Sequence, residues 1–309
     1  MKTNVLIVDD VHSVLMEKLE QHGIKFTYSP NFTREDAEKE IGSYTGLIIR
    51  SKFQVDRQFI NLAHNLQFIA RCGAGMDNID EAYAESKGIK LISANEGNRD
   101  AVGEHMIGML LSLMNHLNRG NQEIKTGLWR RESNRGYELK GRTVALIGYG
   151  HNGQAMAKKL SGFDVNVIAY DKYKTGFSDQ YAKEVSMEEV VKQTDILSFH
   201  IPLTKETKGL INDEYLYHFR KPIFFLLGAR GGIVQIPAVL KAMDEGKIIA
   251  AAFDVLPVEK FPALQEQPWF SDLASRDNVL LSPHVAGWTF ESYYKLSDVV
   301  AEKIISLLK

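Results

Sequence analysis

Short apolar runs recur along the first 95 residues, separated by polar stretches long enough for a helix. The runs are VLIV at 5–8, IKFTY at 24–28, LIIR at 47–50, FIARC at 68–72 and KLIS at 90–93. Runs this short and this rich in β-branched residues predict buried strands. Helix-length segments between them predict parallel pairing through crossover connections. A second series of the same kind starts at Thr143: TVALIG, VNVIAYD, DILSFH, PIFFLLG, IIAAAFDV and NVLLSP. Between the two series, residues 101–117 (AVGEHMIGMLLSLMNHL) are apolar nearly all round. That pattern predicts a helix buried on several sides, as at a domain junction or a subunit interface. Residues 121–137 are polar, carry Arg130, Arg131 and Arg135, and read as a solvated connecting arm. From 288 to 309, Leu296, Val299, Val300, Ile304, Ile305 and Leu308 recur at helical spacing, predicting a terminal helix that packs back on the first series.

One predicted strand ends abruptly in glycines. TVALIG runs into Gly148-Tyr149-Gly150-His151-Asn152-Gly153, and a helical pattern follows. A G-x-G-x-x-G stretch is weak evidence alone and gains meaning between a strand and a helix. The first glycine permits the tight turn, the second lets backbone approach a diphosphate, and the third lets helix pack on strand. The helix N-terminus then offers unpaired N–H groups and partial positive charge to phosphate oxygens. The next predicted strand closes on Asp171, placed to accept both hydroxyls of an adenosine ribose and to repel a 2′-phosphate. NAD is favoured over NADP on that ground, while Lys172 and Lys174 keep NADP open.

Composition narrows the class. The 309 residues suit about two domains, and 44% hydrophobic with 25% charged residues is ordinary for a globular chain. A net charge of -2 offers no global field to hold nucleic acid. No apolar run reaches the roughly 18 residues of a membrane span. The single cysteine, Cys72, excludes an internal disulfide and fits a reducing compartment. The N-terminal VLIV is cut off by Asp9 and Asp10, so it reads as a strand and not a leader. A cytoplasmic protein is expected. Ligand spacing for a metal is not found.

Three groups near predicted strand ends could do chemistry. Arg230 in ARGGIV has the planar fork that clamps a carboxylate. His284 in SPHVAG can give and take a proton near neutral pH. Glu259 in FDVLPVE, bonded to an imidazole, would raise its pKa and fix its tautomer. Each alone has a plainer reading: a partner for a sheet-end carbonyl, a structural histidine, a solvated acid. Together they supply what reduction of a 2-keto acid needs beside a hydride donor.

At these residues the chain resembles the D-isomer-specific 2-hydroxyacid dehydrogenases. The matching stretches are GYGHNG with Asp171, HIPLTKETKGLI at 200–211, ARGGIV, FDVLPVE and SPHVAG, in that order. The resemblance implies Arg230, Glu259 and His284 as the catalytic set. It implies NAD held by Gly148, Gly150, His151, Asn152, Gly153, Asp171, His200, Pro202 and Ala229, with Asp254 on the nicotinamide carboxamide. It implies substrate held by Arg230 and by the backbone at Gly73 and Ala74. Within the family the chain looks most like the phosphoglycerate dehydrogenase branch, through Arg50-Ser51, Asn98-Arg99 and the GYGH form of the loop. That likeness implies Arg50, Ser51 and Asn98 near a substrate phosphate, with an ordinary strand end as the alternative for Arg50-Ser51.

Two positions depart from the pattern: Gly228 replaces the usual Asn before the A-R-G turn, and Trp288 replaces a small residue. An indole there would narrow the pocket. With the chain ending at Lys309, no serine inhibition through a C-terminal regulatory domain is expected. Cys72 adjoins the expected substrate loop, where Arg71 would lower its pKa, but a small buried apolar residue is the plainer reading.

The expected architecture is two doubly wound α/β domains around a cleft. A Rossmann-like NAD domain covers about 96–287, and a flavodoxin-like substrate domain joins 1–95 to 288–309. The resemblance implies a homodimer through the 101–117 helix and its arm. The leading expectation is an NAD-dependent oxidoreductase on a small D-2-hydroxy acid, with 3-phosphoglycerate first. A glyoxylate or hydroxypyruvate reductase is the second reading. From another class, the third is an NAD(H)-gated binding protein, as the C-terminal-binding corepressors that resemble this family.

Overall fold

The computed structural model describes residues 3–309. The chain divides into two compact units, Met1–Arg99 with Trp288–Lys309, and Asp100–Gly287.

The first unit holds β1 (Asn4–Ile7), β2 (Lys25–Tyr28), β3 (Gly46–Ile49), β4 (Phe68–Arg71) and β5 (Lys90–Ser93). They form one parallel sheet in the order β2-β1-β3-β4-β5. This is the flavodoxin-type doubly wound order. The inner strands are apolar throughout because helices cover both faces. One face is sealed by Leu15 and Leu19 of the helix Ser13–Gln21, and by Leu296, Val300 and Ile304 of the terminal helix Phe290–Leu308. Thr289 starts that last helix with a reciprocal capping box to Ser292.

The second unit holds β6 (Thr143–Ile147), β7 (Asn166–Tyr170), β8 (Lys183–Glu184), β9 (Ile196–Phe199), β10 (Ile223–Leu227), β11 (Ile248–Phe253) and β12 (Val279–Leu281). Their order is β12-β11-β10-β9-β6-β7-β8, all parallel. The order reverses between β6 and β9. That switch point opens a crevice outside the strand C-terminal ends, where ligands of such sheets bind. Two core layers, one built on Phe225 and Phe253 and the other on Phe224 and Leu146, sandwich the sheet.

The sequence pattern mis-cut one connection. The buried helix runs Arg99–Met114, not on to residue 117, because His116 takes a left-handed backbone with φ 51°. A separate helix, Leu117–Lys125, then occupies the start of the expected arm. Leu117, Ile124 and Trp129 along this stretch are exposed. Among the described residues, no helix is long and apolar enough to cross a membrane.

Candidate active site

In the second unit, β6 ends against the glycine loop. Gly148 has φ +95°, and a Cβ there would lie 2.8 Å from the His200 carbonyl oxygen. A Cβ on Gly153 would lie 2.3 Å from the Gly148 carbonyl oxygen. Both positions therefore demand glycine. Gly150 caps the helix His151–Leu160 without any side-chain hydrogen bond, and nothing would meet a Cβ there within 4 Å. No capping side chain takes up the first N–H groups of that helix. The buried Asn152 Oδ1 has no partner. Tyr149 between the glycines is fully buried, its hydroxyl donating to Asp179 at 2.9 Å.

Asp171 follows β7 and takes the Tyr149 N–H on Oδ2 and the Tyr173 N–H on Oδ1, each at 3.0 Å. These bonds hold the carboxylate against the glycine loop and leave further lone pairs for hydroxyl donors. This donor set fits NAD: open amides for a diphosphate, a fixed carboxylate for a ribose. His200 follows β9, and burial pushes its pKa down to about 4. It is a neutral ring, bonded to Ser198 Oγ at 3.0 Å. The exposed Pro202 lends its carbonyl to the Thr207 hydroxyl at 2.7 Å. Ala229 is buried in the turn after β10.

Arg230 follows Ala229 and donates from one guanidinium nitrogen to the Ala229 carbonyl at 2.7 Å. His284 follows β12 with a left-handed backbone, φ 54°. Its Nδ1 lies 2.9 Å from Glu259 Oε2. That bond raises the His284 pKa above the ordinary imidazole value; burial opposes it, Asp254 adds to it and Arg230 subtracts. The strained turn is held by Asp254, which is 1% exposed. Its carboxylate accepts the Ser282 hydroxyl at 2.7 Å and the Val285 and Ala286 N–H groups at 2.9 Å. A carboxamide contact, as the resemblance implies for Asp254, would have to use lone pairs left over from these three bonds. His105 Nε2 meets Ser282 Oγ at 3.0 Å and extends the network to the buried helix. Nothing in the residue pattern marks His105 or Ser282 for this role, since the two are paired across 177 positions.

Gly228 has a local explanation. A Cβ there would sit 2.3 Å from Met106 Sδ. The buried helix packs its thioether where the family pattern has an Asn side chain.

In the first unit, Arg50 and Ser51 follow β3. The N–H groups of Arg50, Ser51 and Lys52 all donate to Asp9 Oδ2, at 2.9, 2.8 and 3.0 Å. Asp9, which the sequence pattern used only to end a strand, anchors this loop. The Arg50 guanidinium lies 4.5 Å from the Trp288 ring centroid, a cation–π stack. One of its nitrogens, NH1, is buried without a partner, and so is Asn98 Oδ1 ahead of the long helix. Buried polar atoms are nearly always paired, so an unpaired pair of them asks for a function. Gly73 and Ala74 follow β4, and Gly73 accepts the Ala94 N–H at 2.9 Å. Arg71 ties this loop to the other: its Nε donates to the Arg50 carbonyl at 2.7 Å, and its guanidinium to the Gly75 carbonyl. Cys72 is buried, and burial pushes its thiol up to about 12, so it is inert at neutral pH.

Residues 107–286 match the family model "D-isomer specific 2-hydroxyacid dehydrogenase, NAD binding domain". The chain is 32% identical over 307 residues to a D-3-phosphoglycerate dehydrogenase of Archaeoglobus fulgidus, covering 99% of this chain and 57% of that protein. It is 33% identical over 280 residues to a hydroxypyruvate reductase of Thermotoga maritima, covering 91% and 90%. The chain thus spans a little over half the length of the first relative and nearly all of the second. In fold it matches the structure of D-2-hydroxyisocaproate dehydrogenase, with TM-score 0.84 at 22% identity over 99% of this chain and 97% of that one.

Proposed function

The chain belongs to the D-isomer-specific 2-hydroxyacid dehydrogenases, with residues 107–286 as its NAD binding domain, and from that premise we propose that it interconverts a small D-2-hydroxy acid and its 2-keto acid. The observation that carries this reading is the His284–Glu259 pair at 2.9 Å, on a turn fixed by Asp254.

Bound in the crevice, NAD would supply the hydride chemistry at the substrate's C2. Glycine-loop amides with His151, Asn152 and Gly153 would hold its diphosphate, Asp171 its ribose, and the segment from His200 to Pro202 with Ala229 the flanks of the crevice. Arg230 would clamp the substrate carboxylate in a bidentate bond. Glu259 keeps the proton of His284 on Nδ1, so Nε2 is the nitrogen that exchanges a proton with the C2 oxygen. In reduction, imidazolium His284 protonates that oxygen as it gains charge. In oxidation, neutral His284 removes the proton from the hydroxyl.

We propose 3-phosphoglycerate and its keto acid as the leading substrate pair, in a serine-forming route. Support comes from the buried, unpaired Arg50 NH1, a donor that suits a phosphate oxygen, with Ser51 beside it, Asn98, whose Nδ2 would be the donor, and the Gly73–Ala74 backbone for the carboxylate. The second reading, a glyoxylate or hydroxypyruvate reductase, draws on Trp288: its indole covers Arg50 and would favour a shorter acid. NADH oxidation with phosphohydroxypyruvate and with hydroxypyruvate at equal concentration separates the two. Preference for the phosphorylated acid upholds the first reading, and preference for the plain acid the second. The proposal includes a cytoplasmic homodimer. Its support is the single Cys72, which leaves no internal disulfide to form, and the exposed apolar Leu117, Ile124, Leu128 and Trp129.

A further inference from the structure

The two lysines that follow Asp171 are both committed. Lys174 Nζ donates to the Tyr149 carbonyl at 3.0 Å, within the glycine loop. Lys172 Nζ pairs with Glu206 Oε1, while the Tyr173 hydroxyl donates to Glu206 Oε2 at 2.5 Å. Lys172 and Tyr173 follow β7; Glu206 lies in the turn after β9. These strands flank β6 on opposite sides. The ion pair therefore spans the switch-point crevice, beside the carboxylate that would take the ribose hydroxyls. Glu206 is held there by its own turn. The Thr204 N–H donates to Thr207 Oγ1 at 2.8 Å, and the Thr207 hydroxyl donates to the Pro202 carbonyl at 2.7 Å.

A 2′-phosphate on the adenosine ribose needs a cation next to the position of Asp171. Lys172 is that cation in the sequence. In the structure its charge is answered by a carboxylate that would itself repel the phosphate.

We propose that Glu206 is a specificity-determining residue, which excludes NADP by holding Lys172 across the crevice. The inference rests on the NAD reading above. It assigns to the second strand-end turn a share of the discrimination that Asp171 alone would otherwise carry. Removing the Glu206 charge frees Lys172 to turn to a 2′-phosphate and removes one repulsion.

The test is equilibrium binding, followed by tryptophan fluorescence, of NADH and NADPH to the full chain. The proteins are wild type, Glu206→Gln, Lys172→Met and the double variant. Glu206→Gln keeps the side chain's shape at an exposed position, so folding is not at issue. The expected result is a drop of about fivefold to tenfold in the NADPH-to-NADH Kd ratio for Glu206→Gln, carried by tighter NADPH binding. In the Lys172→Met background the gain shrinks, because the freed cation is absent. An unmoved ratio for Glu206→Gln overturns the proposal, as does a gain of equal size in both backgrounds. Failure of the wild-type chain to bind either nucleotide overturns the NAD reading itself, a distinct outcome.

Discussion

His284 keeps its proton to higher pH than a free imidazole because Glu259 Oε2 lies 2.9 Å from Nδ1. In the proposed mechanism reduction uses the protonated ring, so its kcat/KM is expected to be flat at lower pH and to fall as pH rises through the His284 pKa. Glu259→Gln removes the main cause of the raised pKa. A pH–rate profile of that variant is expected to show the fall at lower pH than wild type. An unmoved limb would mean that another group titrates. The same pair adds stability that is fully present below the unfolded imidazole value and is lost as pH rises through the raised one. Arg50 is the other residue whose environment makes a prediction. Losing a charge-assisted bond costs about 1.5–3 kcal/mol, or roughly tenfold to a hundredfold. Arg50→Ala is expected to lower kcat/KM by that factor with phosphohydroxypyruvate and to leave hydroxypyruvate reduction less affected. Equal losses with both acids would make the residue structural.

At the level of elements, what mattered was which strand ends carry glycine, histidine, arginine and acid, and this was legible. Gly148, Asp171, Arg230 and His284 all stand within three residues of an apolar run, and the structure puts each just past a strand's C-terminal end, with Gly153 in the first turn of the helix after β6. What holds these ends was not legible, because the partners are far apart in the chain. Asp9 anchors the amides of residues 50–52, and Asp254 anchors those of 285 and 286. No periodicity encodes such a pairing; an aspartate at the end of one strand looks the same whether it is solvated or receives three amides from another. β8 was missed for a different reason: two residues are too short for a period-two signal. The helix break at His116 escaped notice because it comes from one residue's backbone conformation in an otherwise helical stretch. Met106 against Gly228 gives a packing test at this scale. Gly228→Ala forces a Cβ into the thioether and is expected to destabilise the second unit by about 1–3 kcal/mol, read from denaturant melts. Met106→Ala should relieve part of that cost in the double variant.

The whole chain carries one fold motif twice. Each unit is a doubly wound parallel sheet, with strand order of the flavodoxin type in one and of the Rossmann type in the other. The alternation of apolar runs and helix-length segments revealed both sheets, because parallel strands buried on two faces read as continuous apolar runs. It could not reveal which carboxylates bridge one strand end to the next, and those bridges are what fix His284, Arg50 and Lys172. The central claim is the proposed one, that the chain carries out one proton transfer, through His284, and one hydride transfer at a 2-keto acid. The most direct measurement is the loss of NADH absorbance with phosphohydroxypyruvate and hydroxypyruvate, for wild type and His284→Ala at equal folded concentration. The account predicts turnover of at least one acid by wild type and a loss of about 10²–10⁴ in kcat for the variant, with NADH binding retained. Turnover that survives in His284→Ala would contradict it.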